Sequence, residues 1–293
     1  MSKTLVVTGA SGHLGRLVLD HLLERPNIDP ARIVAASRDP GKLAGYAEKG
    51  VVTRRADFDD PASLETAFAG ADTILIVSTD ALDAPGRRLR QHRAAIAAAA
   101  GSGATHILYT SMPNPEHSVI PFAPDHLQSE EAVKATGIAY TILRNGWYME
   151  NLFMALPHAL STGHWNSSAG EGRLAHVARA DIAAATAAAL VAEPANRTYT
   201  LTGAMARTTA EIAALAAAAT GKPLAVVPVD DEALAAGLKA AGLPDAIVPV
   251  VVSFDTNTRL GLIDMVTGDL SALSGRPAET LESFLAKNAA ALS

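Results

Sequence analysis

Residues 5–17 read LVVTGASGHLGRL. An apolar run ends at Gly9, two more glycines follow at steps of three (Gly12 and Gly15), and a helical pattern then begins. Between a strand and a helix, such a turn has three requirements. Its first glycine permits the tight turn, the second lets the backbone approach a pyrophosphate, and the third lets helix and strand pack closely. The helix N-terminus adds free N–H groups and the positive end of its dipole. The triplet alone says little; its context decides. Spacing predicts strands over 4–8, 33–37, 51–56, 73–77, 106–110 and 139–143, with helices near 13–24, 41–48, 62–69, 87–101 and 126–136. Asp39-Pro40 and Asp60-Pro61 each set a capping acid before a proline at the first helical position. Alternating strands and helices, the strands nearly continuously apolar, predict a parallel sheet covered on both faces.

Beyond about residue 145 the rhythm breaks. A segment rich in Trp, Tyr, Met and Phe spans 146–165, and helices are predicted near 180–192, 208–220, 230–241 and 278–290. Thr208-Thr209-Ala210-Glu211 is a capping-box candidate. The fold class is α/β: a Rossmann-type, doubly wound parallel sheet with a smaller, mostly helical C-terminal lobe. The expected division is a dinucleotide-binding Rossmann domain over 1–150 and a substrate-binding lobe over 151–293, with chain crossing back to the sheet.

Composition narrows the function classes. A net charge of −6 offers no basic footprint for nucleic acid. Zero cysteines exclude disulfides, thiolate catalysis and Cys-ligated metals, and the nine histidines show no metal spacing. The first apolar run lacks a basic leader and flows into the glycine turn, and the Ala-rich stretch from Asp181 to Glu193 is too short to span a bilayer. The expectation is a soluble cytoplasmic protein, with no metal, nucleic-acid or membrane partner. The oligomeric state, monomer or homodimer, stays open.

The strand ends name the ligand contacts, because open α/β sheets bind at the carboxyl ends of their strands. The second strand ends Ser37-Arg38-Asp39, where an NAD-type site would place its ribose-binding acid. A hydroxyl and a guanidinium there argue for a 2′-phosphate, hence NADP(H), with Asp39 as a helix cap. Asp57 can accept from the adenine amino group and Phe58 can pack on the ring; the alternative is helix-start chemistry shared with Asp59 and Asp60. Ser78, Thr79 and Ser111 end the fourth and fifth strands and would flank the middle of the cofactor.

These stretches resemble a known family. Thr8-Gly9-Ala10-Ser11-Gly12-His13-Leu14-Gly15 is similar to the fingerprint of the extended and atypical short-chain dehydrogenases. The stretches SRDPGKL, ADFDDPASLETAFAGAD, QHRAAIAAAAGSGATHILYTS, GIAYTILRNGWYMEN and SGRPAETLESFL resemble the NmrA-like branch, and within it the quinone and dye reductases. The resemblance implies NADPH across the sheet edge and flavin-independent hydride transfer to a planar small molecule. Residue by residue, it implies the phosphate loop at Gly9, Ala10, Ser11, Gly12, His13 and Leu14, and the 2′-phosphate at Arg38. It sets Asp57 and Phe58 by the adenine, Ser78 and Thr79 along the cofactor, and Asn145, Gly146, Trp147 and Tyr148 near the nicotinamide.

One departure matters. The Tyr-x-x-x-Lys pair of ordinary short-chain dehydrogenases occurs nowhere in the chain. By spacing back from Gly137, His126 stands where ether-reductase relatives carry their lysine. That fits acceptors needing only hydride, with protons from solvent. The catalytic candidates are His126, as ribose contact or proton donor, and Tyr148, stacking on a flat acceptor beside Trp147 with its hydroxyl as a polar handle. The alternatives are a helix-start histidine satisfied by a backbone group, and aromatics packing the lobe junction. A non-catalytic, dinucleotide-binding redox sensor shows the same motifs. A nucleotide-sugar epimerase or dehydratase would need the missing tyrosine.

Overall fold

The computed structural model describes residues 3–292. Six strands arise at the expected places: β1 (Leu5–Val7), β2 (Ile33–Ser37), β3 (Val52–Arg55), β4 (Thr73–Ile76), β5 (His106–Ser111) and β6 (Ala139–Asn145). In the second half follow β7 (His164–Ser167), β8 (Arg173–Leu174), β9 (Arg197–Leu201), β10 (Arg207–Thr208) and β11 (Ala225–Pro228). The main sheet has seven strands in the order β3-β2-β1-β4-β5-β6-β9, every neighbouring pair parallel. The reversal of order between β1 and β4 opens the crevice in which doubly wound sheets hold ligands. β7 with β11 and β8 with β10 form two small sheets beside it.

The first-half helices are α1 (His13–Leu23), α2 (Ala44–Ala47), α3 (Pro61–Phe68), α4 (Arg87–Gly101) and α5 (Ala123–Ala135). The second half carries α6 (Leu156–Thr162), α7 (Arg179–Val191), α8 (Thr209–Thr220), α9 (Asp231–Ala240), α10 (Val248–Arg259), α11 (Asp269–Ser274), α12 (Leu281–Lys287) and α13 (Ala289–Leu292). α1, α7 and α11 cover one face of the sheet, through Val18, Leu19, Leu22, Ile182, Leu190 and Leu270. α3, α4 and α5 cover the other, through Leu64, Phe68, Ala95, Ile96 and Val133. A third core, with Leu152, Leu156, Ile212, Phe284 and Leu285, holds the helical lobe.

The start signals are built as read. Asp39 accepts from the Gly41 N–H and Asp60 from the Ser63 N–H, and Thr208 and Glu211 complete a reciprocal capping box. Four expectations are corrected. The helix near 41–48 is a 3₁₀ turn, Pro40–Leu43, running into the single turn α2, because Pro40 starts a tight segment that Gly50 ends four residues after Tyr46. β3 is not apolar: as the sheet edge it exposes Val52 and Arg55. α10 and α11 arise where no helix was expected. The helix near 278–290 is interrupted at Asn288, giving α12 and α13.

Candidate active site

The opening turn lies between β1 and α1. Gly9 takes a left-handed φ of 59°, and the Gly12 N–H closes the turn onto the Gly9 carbonyl at 2.9 Å. A Cβ on Gly15 would come within 2.3 Å of the Gly9 oxygen, so the third glycine is demanded by close helix-to-turn packing. A Cβ on Gly12 would meet only that oxygen, at 3.2 Å; its other side is open. No side chain caps α1, so its first-turn N–H groups point out of the helix end beside exposed Gly12 and His13. Ala10 and Leu14 are buried beneath, with the Ala10 N–H bonded to the Ala36 carbonyl at 3.1 Å.

At the end of β2, Ser11 and Ser37 share a 2.8 Å hydroxyl contact. Asp39 is committed to the Gly41 N–H at 3.0 Å. Arg38 is exposed and its side chain makes no hydrogen bond or ion pair among the described residues, and Lys42 lies exposed one turn on. At the end of β3, Asp57 accepts from the Asp59 N–H at 3.1 Å. Phe58 is buried with Leu64 and Phe68, so it forms the floor of this corner.

The middle of the sheet edge is polar. The Ser78 N–H donates to Thr110 at 2.8 Å, and the Thr79 N–H to His92 Nε2 at 3.0 Å. Ser111 donates to the buried Glu130 carboxylate at 2.7 Å, which Arg144 also holds at 2.7–2.8 Å. Thr79 Oγ1 and Asn145 Oδ1 are buried and have no hydrogen-bond partner among the described residues. Buried polar atoms are ordinarily paired; two such atoms at the carboxyl ends of β4 and β6 are what a polar ligand along this edge would satisfy. An uncapped helix end, an unpaired guanidinium and these two atoms fit a phosphorylated dinucleotide. NADP(H) is therefore compatible with the residues present.

After β6 the chain turns sharply. The Gly146 N–H reaches the Leu201 carbonyl at 2.8 Å, and a Cβ there would sit 2.8 Å from that oxygen. The Trp147 ring packs on Phe254 of α10 at 4.3 Å between centroids, and Phe254 meets Phe122 at 6.4 Å. This aromatic wall stands beside the ends of β5 and β6. Tyr148 is half-buried, with the Arg179 guanidinium 4.8 Å from its ring centre and Asn145 Nδ2 at 3.5 Å from its hydroxyl. Burial raises its phenol pKa, so it remains an O–H group.

His126 differs from both expected roles. It is buried, with both ring nitrogens occupied. Arg88 donates to Nε2 at 2.7 Å, which leaves the proton on Nδ1, 3.0 Å from the Tyr109 hydroxyl. His92 accepts from Thr79 on Nε2, so its Nδ1–H faces Ser129 at 2.9 Å. Burial, helped by the Arg88 charge, lowers His92 to about 3 and holds His126 well below its usual range. Neither nitrogen of His126 is free for a ribose hydroxyl or an acceptor oxygen. Its partners are side chains of α4 and β5, and no backbone group among the described residues satisfies it. The sequence reading missed Arg88, Phe122, Tyr109, Glu130 and Phe254. Arg88 is one of several arginines opening α4, and nothing in their spacing marks it as the buried one.

The family follows from comparison with known proteins. The NmrA-like family model matches residues 1–285, and the chain belongs to that family. It is 35% identical over 279 residues to quinone oxidoreductase 2 of Escherichia coli (strain K12), covering 94% of this chain and 96% of that protein. It is 27% identical over 290 residues to the NAD(P)H azoreductase of Xenophilus azovorans, covering 98% of each. Among solved structures, the E. coli NADPH-dependent quinone oxidoreductase complexed with NADPH superposes with a TM-score of 0.91 at 34% identity, over 97% of this chain and 99% of that one. The Citrobacter sp. triphenylmethane reductase complexed with NADP(H) gives 0.90 at 33% identity, over 97% and 99%. Among the described residues, no helix is long and apolar enough to cross a membrane, and no group of His, Asp and Glu could hold a metal ion.

Proposed function

We propose that this chain is an NADPH-dependent oxidoreductase that reduces quinones or related planar, conjugated acceptors such as azo or triarylmethane dyes, without a flavin. The reading rests on the aromatic wall Trp147–Phe254–Phe122, which stands beside a dinucleotide-fitting sheet edge with no available acid on His126. Bound NADPH supplies a hydride. In this reading, the first-turn N–H groups of α1 hold the pyrophosphate, Arg38 and Lys42 the 2′-phosphate, and Asp57 the adenine amino group. Thr79 and Asn145 offer acceptor oxygens to donors along the cofactor, and the wall orients a flat acceptor. Orientation against this wall lowers the barrier, and protons follow from water. A chain without cysteine needs no oxidising compartment, in keeping with a cytoplasmic enzyme.

The deciding measurement mixes protein, NADPH and a simple naphthoquinone with no flavin added, and follows nicotinamide absorbance. Quinone-dependent loss of absorbance is expected. Tight NADPH binding with no turnover of quinones, azo dyes or triarylmethane dyes would instead leave a dinucleotide-binding sensor.

A further inference from the structure

Arg88 is the one buried arginine among the described residues, 7% exposed. Its guanidinium donates to His126 at 2.7 Å, lies 4.7 Å from the Phe122 ring centre, and leaves Nε without a partner. Other inward-reaching arginines are matched: Arg144 by Glu130 and Glu116, Arg276 by Asp181. No carboxylate reaches ion-pair distance of Arg88 among the described residues; Asp125 and Asp80 act on it only from further off. The groups packed around it are a neutral histidine, a phenol and an aromatic ring. A buried charge without a countercharge is costly to fold around, and such groups concentrate at functional sites.

Its place suggests its use. Phe122, on which the guanidinium lies, is one end of the wall that runs through Phe254 to Trp147. Resting on the reading above, we infer that Arg88 is the specificity-determining charge of the acceptor site. It favours acceptors whose oxygen gains negative charge on reduction, quinones and above all anionic quinones, over cationic triarylmethane dyes. When hydride arrives at a quinone, the new C–H bond pushes the π pair onto a carbonyl oxygen. The cofactor is oxidised and the quinone becomes an enolate with one sp3 ring carbon; that carbon then loses a proton to water, the oxygens take up protons from water, and the aromatic hydroquinone results. A fixed positive charge behind the ring stabilises that oxygen as charge develops. The same charge repels a cationic dye before reduction and gains nothing when hydride neutralises it.

The test compares kcat/KM for a neutral naphthoquinone, its sulfonate and a cationic triarylmethane dye, at low ionic strength, in wild type, Arg88→Met and Arg88→Lys. Thermal unfolding and NADPH titration establish that each variant is folded and loaded. Wild type should rank sulfonate, neutral quinone, dye. Arg88→Met should lower the quinone-to-dye ratio by about ten- to a hundredfold, the size of one to two pKa units of electrostatic stabilisation, and Arg88→Lys should keep the wild-type ranking. Equal losses on all three acceptors would overturn the assignment.

A second readout needs neither turnover nor a variant. 4-Nitrophenol bound to NADP⁺-loaded wild-type protein should ionise, by its absorbance, at least about one pH unit below the free phenol. Binding with an unshifted titration would refute the role of Arg88 and leave the reductase reading standing. If NADPH binds but neither nitrophenol nor any acceptor does, the acceptor site itself falls, and the reductase reading with it.

Discussion

Arg38 and Asp39 stand side by side after β2 with opposite commitments. Asp39 spends its carboxylate on the Gly41 N–H, while the Arg38 guanidinium is exposed and unpaired among the described residues. On the proposed reading, replacing Arg38 should remove a 2′-phosphate contact without disturbing the fold. Arg38→Glu should weaken NADPH by about 1.5–3 kcal/mol, the size of a charged hydrogen bond, and leave NADH little changed; fluorescence titration of both cofactors checks it. Equal losses would mean that no 2′-phosphate is read here. Gly12 and Gly15 separate in the same way. Gly12→Val should keep a folded protein that no longer binds NADPH, because only the Gly9 oxygen, 3.2 Å away, faces a Cβ from inside. Gly15→Val should fail to fold, since its Cβ would lie 2.3 Å from that oxygen. Undiminished cofactor affinity in Gly12→Val would make the turn purely structural.

Between α4, β5 and α5 runs a buried polar seam: Arg88, His126, Tyr109, His92, Ser129 and the Thr79 N–H. The seam ties the end of β4 to both helices through His92, and His126 joins it through Arg88 and Tyr109. His126→Ala should cost about 2–4 kcal/mol, through the cavity and the stranded partners, measured by urea unfolding with NADPH absent. Buried histidines, His92 in the seam and His106 and His176 outside it, also predict a pH dependence. His92 is held at about 3, and His106 and His176 at about 4, chiefly by burial. The unfolded chain then binds more protons than the folded one below its own histidine pKa of about 6.5. Their stabilisation is complete above that pH and is lost as pH falls towards about 4, by up to about 1.4 kcal/mol per pH unit for each histidine. Urea midpoints at pH 7 and pH 5 should differ accordingly. A flat profile would contradict the burial of neutral rings.

The second half of the chain completes the first. β9 pairs with β6 in register from Thr141–Arg197 to Asn145–Leu201, and α7 packs against α1 over the sheet face. The helical lobe returns α10 to the site, where Phe254 meets Trp147. Asn257 of the same helix fastens residues 118 and 119 through contacts of 2.9 and 3.2 Å. A fragment of residues 1–150 would thus expose β6 and the α7-facing side of α1. It should show no cooperative thermal unfolding by circular dichroism and no NADPH binding. A folded, cofactor-binding fragment would make 1–150 a domain in its own right.

What was legible in the sequence is what local chemistry dictates. The glycine turn, the proline-marked caps at Asp39 and Asp60, the capping box at Thr208 and the first six strands each follow from residues a few positions apart. So does the unpaired arginine after β2, because strand ends in this architecture face one edge. What only tertiary structure decided are the contacts between distant segments: Phe254 on Trp147, Glu130 on Ser111, and Arg88 on His126. An arginine in a basic helix start and a histidine in a helix carry no local mark of burial. Packing α4 against α5 removes both from water; the Arg88 hydrogen bond then fixes the tautomer of His126, burial lowers its pKa, and Arg88 is left with no carboxylate countercharge among the described residues.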